Sequence, residues 1–180
     1  KALWKIEDDQ TYVVVDFETT GGRSKYNRIV EVGAVKIRKG LEVDAFSTLV
    51  NPERSLPPAI TRLTGIRPEQ LLSAPKFSEI ATELLNFLKD AIFVAHNVDF
   101  DLWFAAHEFA RLGVHYSPQK MCTCREMRKR YKHFSSYGLG NLTRQLNIPL
   151  QNHHRALDDA RAAGELLKII LSGVPEPISL

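Results

Sequence analysis

Asp16 and Glu18 lie two residues apart, at the end of the run Tyr12-Val13-Val14-Val15. A short, nearly continuous apolar run reads as a strand buried on both faces. On a strand, residues two apart share a face and stand roughly 6.5–7 Å from each other. Carboxylates that close repel unless one is protonated or a cation intervenes. Hard cations such as Mg²⁺ take oxygen ligands, commonly one or two carboxylates together with substrate phosphates. Ligands of open α/β sheets bind at the carboxyl ends of strands, which is where this pair stands. An Asp-x-Glu pair alone also suits a strand running out into solvent.

Two further acidic groups come later. Asp99 and Asp101 follow the apolar run Ala91-Ile92-Phe93-Val94-Ala95, in the segment His96-Asn97-Val98-Asp99-Phe100-Asp101. This reads as a strand end opening a helix over 99–112, where Asp is a favoured N-cap. Leu102, Ala105, Phe109 and Leu112 form the apolar face of that helix, with Asp101 beside it. Periodicity does not choose between the two acids. The third group is His153-His154-Arg155-Ala156-Leu157-Asp158-Asp159, ahead of a helix over 156–171. Here the helical wheel discriminates. Asp158, Arg161, Glu165 and Lys168 share a polar face, whereas Asp159 shares a face with Ala163, Leu166 and Ile170. Asp159 therefore points toward the sheet, where a carboxylate is costly unless paired or metal-bound. A histidine beside it titrates near neutrality and suits a general base. Spacing leaves His153 and His154 equivalent.

The elements that must position these groups are legible in outline. Strands are expected over 29–37 and 41–50, with Arg38-Lys39-Gly40 as the hairpin turn between them. Residues 51–58 carry three prolines and read as a loop. Helical spacing marks 78–88 through Ile80, Leu84, Leu85 and Leu88, and another helix is expected over 138–146. Strands first, then strands and helices mixed, give an α/β class. The chain has 180 residues, 44% hydrophobic and 25% charged, which suits one globular domain. We divide it into a peripheral segment 1–11, a domain over 12–172 and a tail or linker over 173–180, the last containing Pro175 and Pro177.

Several classes are excluded or disfavoured. No run approaches the roughly 20 apolar residues of a membrane span, so no membrane partner is expected. Lys1-Ala2-Leu3-Trp4-Lys5 lacks an apolar signal core, so a cytoplasmic location is expected. Two cysteines, Cys122 and Cys124, make neither a disulfide framework nor a four-cysteine zinc site. The formal charge of +3 permits nucleic acid without demonstrating it. It is unevenly spread. Arg125, Arg128, Lys129 and Arg130 face a single acid, Glu126, in the stretch 120–132, and Tyr131, Phe134 and Tyr137 come close behind. Basic residues with aromatics suit a single strand, by phosphate neutralisation and base stacking.

Taken together, the three acidic groups resemble the motifs of the DEDDh family of 3′→5′ exonucleases, especially its proofreading members in bacterial DNA polymerase III. The motifs are Asp16-Phe17-Glu18-Thr19-Thr20-Gly21, His96-Asn97-Val98-Asp99-Phe100-Asp101 and His154-Arg155-Ala156-Leu157-Asp158-Asp159, in that order. Leu63-Thr64-Gly65-Ile66 resembles a further family segment. The resemblance covers about 12–171. It implies an RNase H-like fold, a mixed five-stranded sheet flanked by helices, with a short fifth strand near Lys120-Met121. It implies Asp16, Glu18, Asp101 and Asp159 as ligands of two divalent cations, Mg²⁺ or Mn²⁺, and His154 as the base. It thereby selects Asp101 over Asp99 and His154 over His153. Phe17, Thr19, Thr20, Thr64, His96 and Asn97 are expected substrate contacts, with Arg128 and Arg130 added from the basic stretch. The implied reaction removes nucleoside 5′-monophosphates from single-stranded or frayed DNA 3′ ends, beside a DNA polymerase or another replication or repair protein. An RNA 3′-end trimmer of the same fold and a catalytically silent nucleic-acid-binding module are the alternatives. Relatives often carry Asp-Thr-Leu where this chain has Cys122-Thr123-Cys124, outside the four acids.

Overall fold

A computed structural model describes residues 9–173. Most of the expected N-terminal peripheral segment and all but the first residue of the expected tail lie outside the described residues. Three strands open the fold: β1 (Thr11–Thr19), β2 (Ile29–Arg38) and β3 (Leu41–Leu49). The two-residue loop Lys39-Gly40 joins β2 to β3 with positive φ at both positions, the geometry a tight hairpin demands. Then come α1 (Pro58–Thr64), α2 (Pro68–Leu72), α3 (Phe77–Leu88), β4 (Ile92–Ala95) and α4 (Val98–Ala110). The chain continues through β5 (Lys120–Cys122), α5 (Thr123–Arg130), α6 (Leu139–Gln145) and α7 (Ala156–Ser172). Among the described residues no helix is long and apolar enough to cross a membrane.

The five strands form one sheet in the order β3-β2-β1-β4-β5. β1, β2 and β3 are an antiparallel meander, whereas β4 and β5 run parallel to β1. Each face of the sheet carries its own core. Val13, Val15 and Phe17 of β1 pack against α3 and α4 through residues such as Phe77, Leu84 and Phe104. Tyr12 and Val14 face the other way, onto Met127 of α5, Leu142 of α6 and Leu166 of α7. Strand alternation makes Asp16 and Glu18 the next two members of that second row.

Some local expectations change. β1 runs to Thr19, so Asp16 and Glu18 lie within the strand. α4 begins at Val98 with Asn97 at its N-cap, so neither Asp99 nor Asp101 caps the helix. The loop expected over 51–58 gives way to helix one residue early, at Pro58, and α1 and α2, of 7 and 5 residues, are elements the sequence pattern does not announce. Both are too short to show a helical period. α1 ends at Gly65, whose φ of 76° closes the helix in the left-handed conformation favoured by glycine.

Candidate active site

Three elements bring the acids together. β1 pairs with β4 only through Tyr12, Val13 and Val14, so its last residues run past the end of β4. α4 leaves the end of β4 there, and Asp101 Oδ1 accepts the Phe17 N–H at 2.9 Å. A side chain thus replaces the missing strand neighbour. On the β2 side, Asp16 stands opposite Gly33 and Glu18 opposite Glu31. Gly33 lets the first turn of α7 lie directly on the sheet, since a Cβ there would stand 2.2 Å from the Ala156 carbonyl carbon.

Glu31 then clamps that turn. Its carboxylate accepts the Ala156 N–H at 2.7 Å and pairs with the Arg155 guanidinium, also at 2.7 Å. Asp159, one turn on, faces the sheet as the wheel indicates and is buried. Its Oδ2 accepts the His154 N–H at 3.0 Å. His154 holds a left-handed backbone, φ 68°, uncommon for a residue with a side chain and found mostly where local structure imposes it.

Donor oxygens of Asp16, Glu18 and Asp159 lie within 4.8 Å of one another. Asp101 stands outside this trio, with Oδ1 spent on Phe17. Asp16 is half-buried as a residue, but its Oδ2 is shut off from solvent and has no hydrogen-bond partner. Asp159 Oδ1 is in the same position. Orphaned carboxylate oxygens inside a protein are rare and call for an explanation. Burial, then the charges of Asp101 and Glu18, raise the Asp16 carboxyl well above its ordinary value. Burial, with Asp159 and Glu31 nearby, lifts Glu18 to about 8. Asp101 is raised to about 8, again chiefly by burial, and Asp159 to about 6. The donor set is all oxygen, buried and short of cations, which fits hard divalent ions.

The histidines stand beside the acids. His153 and His154 stack, with ring centroids 3.9 Å apart. Donor atoms of both lie within 4.8 Å of Asp159 and of each other. Burial lowers the pKa of His154, with His153 adding to the effect and Asp159 opposing it. A cleft of about 670 Å³ opens in front, lined by Asp16, His96, Asn97, His153, His154 and Asp159 together with Ser136, Asn141 and Arg144.

The remaining expected contact residues divide. Asn97 is exposed in the cleft wall. His96 is held at both nitrogens: Nε2 donates to the Tyr137 carbonyl at 2.7 Å, which leaves Nδ1 to accept from the Thr123 hydroxyl at 2.8 Å. The Phe17 side chain is in the core. Thr19, Thr20 and Thr64 are buried and bond locally, to Gly21, Asn27 and Ile60 respectively. Arg128 lies over the Tyr137 ring, 5.1 Å from its centroid. Arg130 turns away from the cleft and donates to the Ile170 carbonyl at 2.7 Å, near the far end of α7. The structure therefore does not bring Arg130 to the site: the basic helix α5 packs beside α7, and its side chains splay in several directions. Asp99 pairs with Lys120 at 2.6 Å and with Arg125. Sequence reasoning missed Glu31. The available signal was an acid inside the apolar strand Ile29-Val30-Glu31-Val32.

The RNase_T family model, described as Exonuclease, matches residues 13–167. The PolC-type DNA polymerase III of Clostridium perfringens is 37% identical over 172 residues, covering 96% of this chain and 12% of the polymerase. The 3′-5′ exonuclease DinG of Staphylococcus epidermidis is 35% identical over 158 residues, covering 87% of this chain and 18% of DinG. The chain thus spans less than a fifth of either relative. Among solved structures, E. coli exonuclease I in complex with a dT13 oligonucleotide has a TM-score of 0.80 at 18% identity, covering 89% of this chain and 41% of that one. Exonuclease X in complex with 5′ overhanging duplex DNA has a TM-score of 0.74 at 24% identity, covering 89% and 90%. The fold is RNase H-like.

Proposed function

This chain belongs to the exonuclease family, homologous to 3′-5′ exonucleases, and we propose that it removes nucleoside 5′-monophosphates from single-stranded or frayed DNA 3′ ends in a divalent-metal-dependent reaction. The observation that carries this reading is the buried trio Asp16, Glu18 and Asp159 with two unpartnered oxygens, Asp16 Oδ2 and Asp159 Oδ1. These three would hold Mg²⁺ or Mn²⁺, with Asp101 supporting them through β1. When bound, such ions polarise the phosphodiester and acidify a water.

The other steps belong to the chain. His154 takes the proton of the attacking water. Its depressed pKa keeps the imidazole neutral, and so able to accept a proton, at pH 7. Asp159 fixes this base by holding its backbone N–H. Asp101 keeps Asp16 and Glu18 in register by holding the Phe17 N–H between them. Asn97, Asn141 and Arg144 supply polar walls to a cleft open to a polymer end. The exonuclease I relative was solved with an oligonucleotide, and the polymerase relative supports work beside a DNA polymerase or another replication or repair protein. We take residues 12–172 as one catalytic unit. We place it in the cytoplasm, where the buried free thiols Cys122 and Cys124 stay reduced.

The test is digestion of 3′- and 5′-labelled DNA and RNA oligonucleotides with Mg²⁺, then with chelator. Stepwise shortening of DNA from the 3′ end, abolished by chelator, is expected. Preference for RNA would reassign the substrate to a 3′-end trimmer. No hydrolysis at all would leave a nucleic-acid-binding module.

A further inference from the structure

The Asp159 carboxylate belongs to two different donor sets. On one side are the carboxylates of Asp16 and Glu18, on the other the imidazoles of His153 and His154. In each set, one donor atom per residue lies within 4.8 Å of the others. Asp159 is only 4% exposed, its Oδ2 is spent on the His154 N–H, and Oδ1 has no partner. One buried carboxylate with an unpartnered oxygen therefore serves two sets, one hard and one borderline in character.

We propose that His153, His154 and Asp159 form a second metal site, selective for borderline transition-metal ions of which Zn²⁺ is the representative, and that filling it shuts off the catalytic centre. Two imidazoles and a carboxylate are an ordinary zinc set. Imidazole suits Zn²⁺, Cu²⁺ and Ni²⁺, whereas all-carboxylate sites suit Mg²⁺ and Mn²⁺. A tetrahedral zinc with bonds of about 2.0–2.1 Å brings its donors to about 3.4 Å from one another. The donors already lie within 4.8 Å, so the set closes by at most about 1.4 Å. The movement falls on His153, which is exposed and stacks nearly parallel to His154, at 11°. Gly140 gives its ring room, since a Cβ at that position would stand 3.1 Å from His153 Cε1.

Exclusion results from the shared carboxylate. While Asp159 is drawn to the histidine pair, it is not free to serve as the third member of the carboxylate trio. The same ion also occupies a His154 nitrogen, which the reaction needs as a base. The inhibitory half of this inference rests on the proposed nuclease reading, but zinc binding does not.

The test is calorimetric titration of ZnCl₂ into the metal-free protein without nucleic acid, for the parent chain, His153→Ala and Asp16→Asn. Circular dichroism melts establish that each variant is folded. His153→Ala is expected to weaken Zn²⁺ binding at least tenfold and Asp16→Asn less than threefold, with the order reversed for MnCl₂. Unchanged Zn²⁺ affinity in His153→Ala overturns the site, as does its loss in Asp16→Asn, which would put zinc on the carboxylates. Zn²⁺ is then titrated against Mg²⁺-supported hydrolysis by the parent chain and by His153→Ala, each normalised to its own rate. His153→Ala should raise the half-inhibiting concentration about tenfold, and an unchanged value overturns the inhibitory role. If the parent chain hydrolyses nothing, the nuclease reading fails and the inhibitory role with it, while the calorimetry still decides the site.

Discussion

Replacing Gly33 with alanine tests whether the close seat of α7 on β2 sets the geometry of the site. The added Cβ would stand 2.2 Å from the Ala156 carbonyl carbon, 2.3 Å from the Leu157 nitrogen and 2.5 Å from the Ala156 oxygen. All three are backbone atoms and cannot rotate away. Ordinary contact begins near 3.4 Å, so the first turn of α7 must lift by about 1.2 Å. The Ala156 N–H to Glu31 bond, now 2.7 Å, would stretch to about 3.9 Å, beyond hydrogen-bond reach. Overpacking costs roughly 1–3 kcal/mol, and loss of a hydrogen bond to a charged group about 1.5–3 kcal/mol. A combined loss of roughly 2.5–6 kcal/mol leaves many domains folded, given total stabilities of about 5–15 kcal/mol. Asp159 and His154 ride on the same turn, and a misplacement of this size can cost about 10²-fold in rate. Urea denaturation, Mn²⁺ titration and oligonucleotide hydrolysis read the three effects. Gly164→Ala is the control. Its Cβ would stand 3.1 Å from Ile37 Cδ1, a side-chain tip that can give way. Parent-like stability and Mn²⁺ affinity in Gly33→Ala would refute the reasoning.

Three other outcomes are expected. Glu31→Ala should cost about 2 kcal/mol in thermal unfolding by freeing the Ala156 N–H and Arg155; Glu31→Gln, which keeps an acceptor, should cost less than half of that because Arg155 is 45% exposed. Glu18 has a folded pKa of about 8 against an ordinary 4.5, so its ionisation costs stability as pH rises through that interval. Glu18→Gln should therefore raise the melting temperature of the metal-free protein at pH 9 and hardly change it at pH 5, and equal effects at both would contradict the burial assigned to Glu18. Arg130→Ala should lose about 1 kcal/mol with its bond to the Ile170 carbonyl and leave the salt dependence of DNA binding unaltered. A smaller salt slope would return Arg130 to the binding surface.

How much of the site was legible in the chain depended on whether one element sufficed to decide it. Asp16 and Glu18 could be paired because strand alternation alone gives them a common face. Asp159 could be separated from Asp158 because the period of α7 sorts polar from apolar positions on its own. Asp99 and Asp101 resisted the same treatment. Both lie in the first turn of α4, and which one faces the site depends on where β1 passes. The fold answers by giving Asp101 the Phe17 N–H and Asp99 the cations Lys120 and Arg125. His153 and His154 were indistinguishable for a like reason, since a left-handed residue between loop and helix leaves no periodic trace. The basic stretch showed its charge but not its directions: Arg128 rests on Tyr137 while Arg130 reaches α7.

The mismatch in strand length explains why the acids gather where they do. β4 ends at Ala95 and accompanies β1 only as far as Val14. The rest of β1 therefore has β2 on one side and an exposed edge on the other, where backbone groups need partners. α4 begins beside this gap and α7 over β2 on the other side, and each supplies a carboxylate to a backbone N–H: Asp101 to Phe17, and Asp159 to His154. Each acid is thus positioned by one oxygen, and Asp159 has the other buried without a partner. An acid used only as a cap would normally lie where water reaches its second oxygen. Here the second core row, Tyr12 and Val14, continues directly into Asp16 and Glu18, so the Asp159 carboxylate faces two more carboxylates. In the metal-free protein, protonation relieves the repulsion up to about pH 8, where Glu18 titrates, and the divalent cation proposed above would relieve it with the carboxylates ionised. The geometry that finishes β1 with Asp101 thus stands beside the three gathered carboxylates at which we propose a cation.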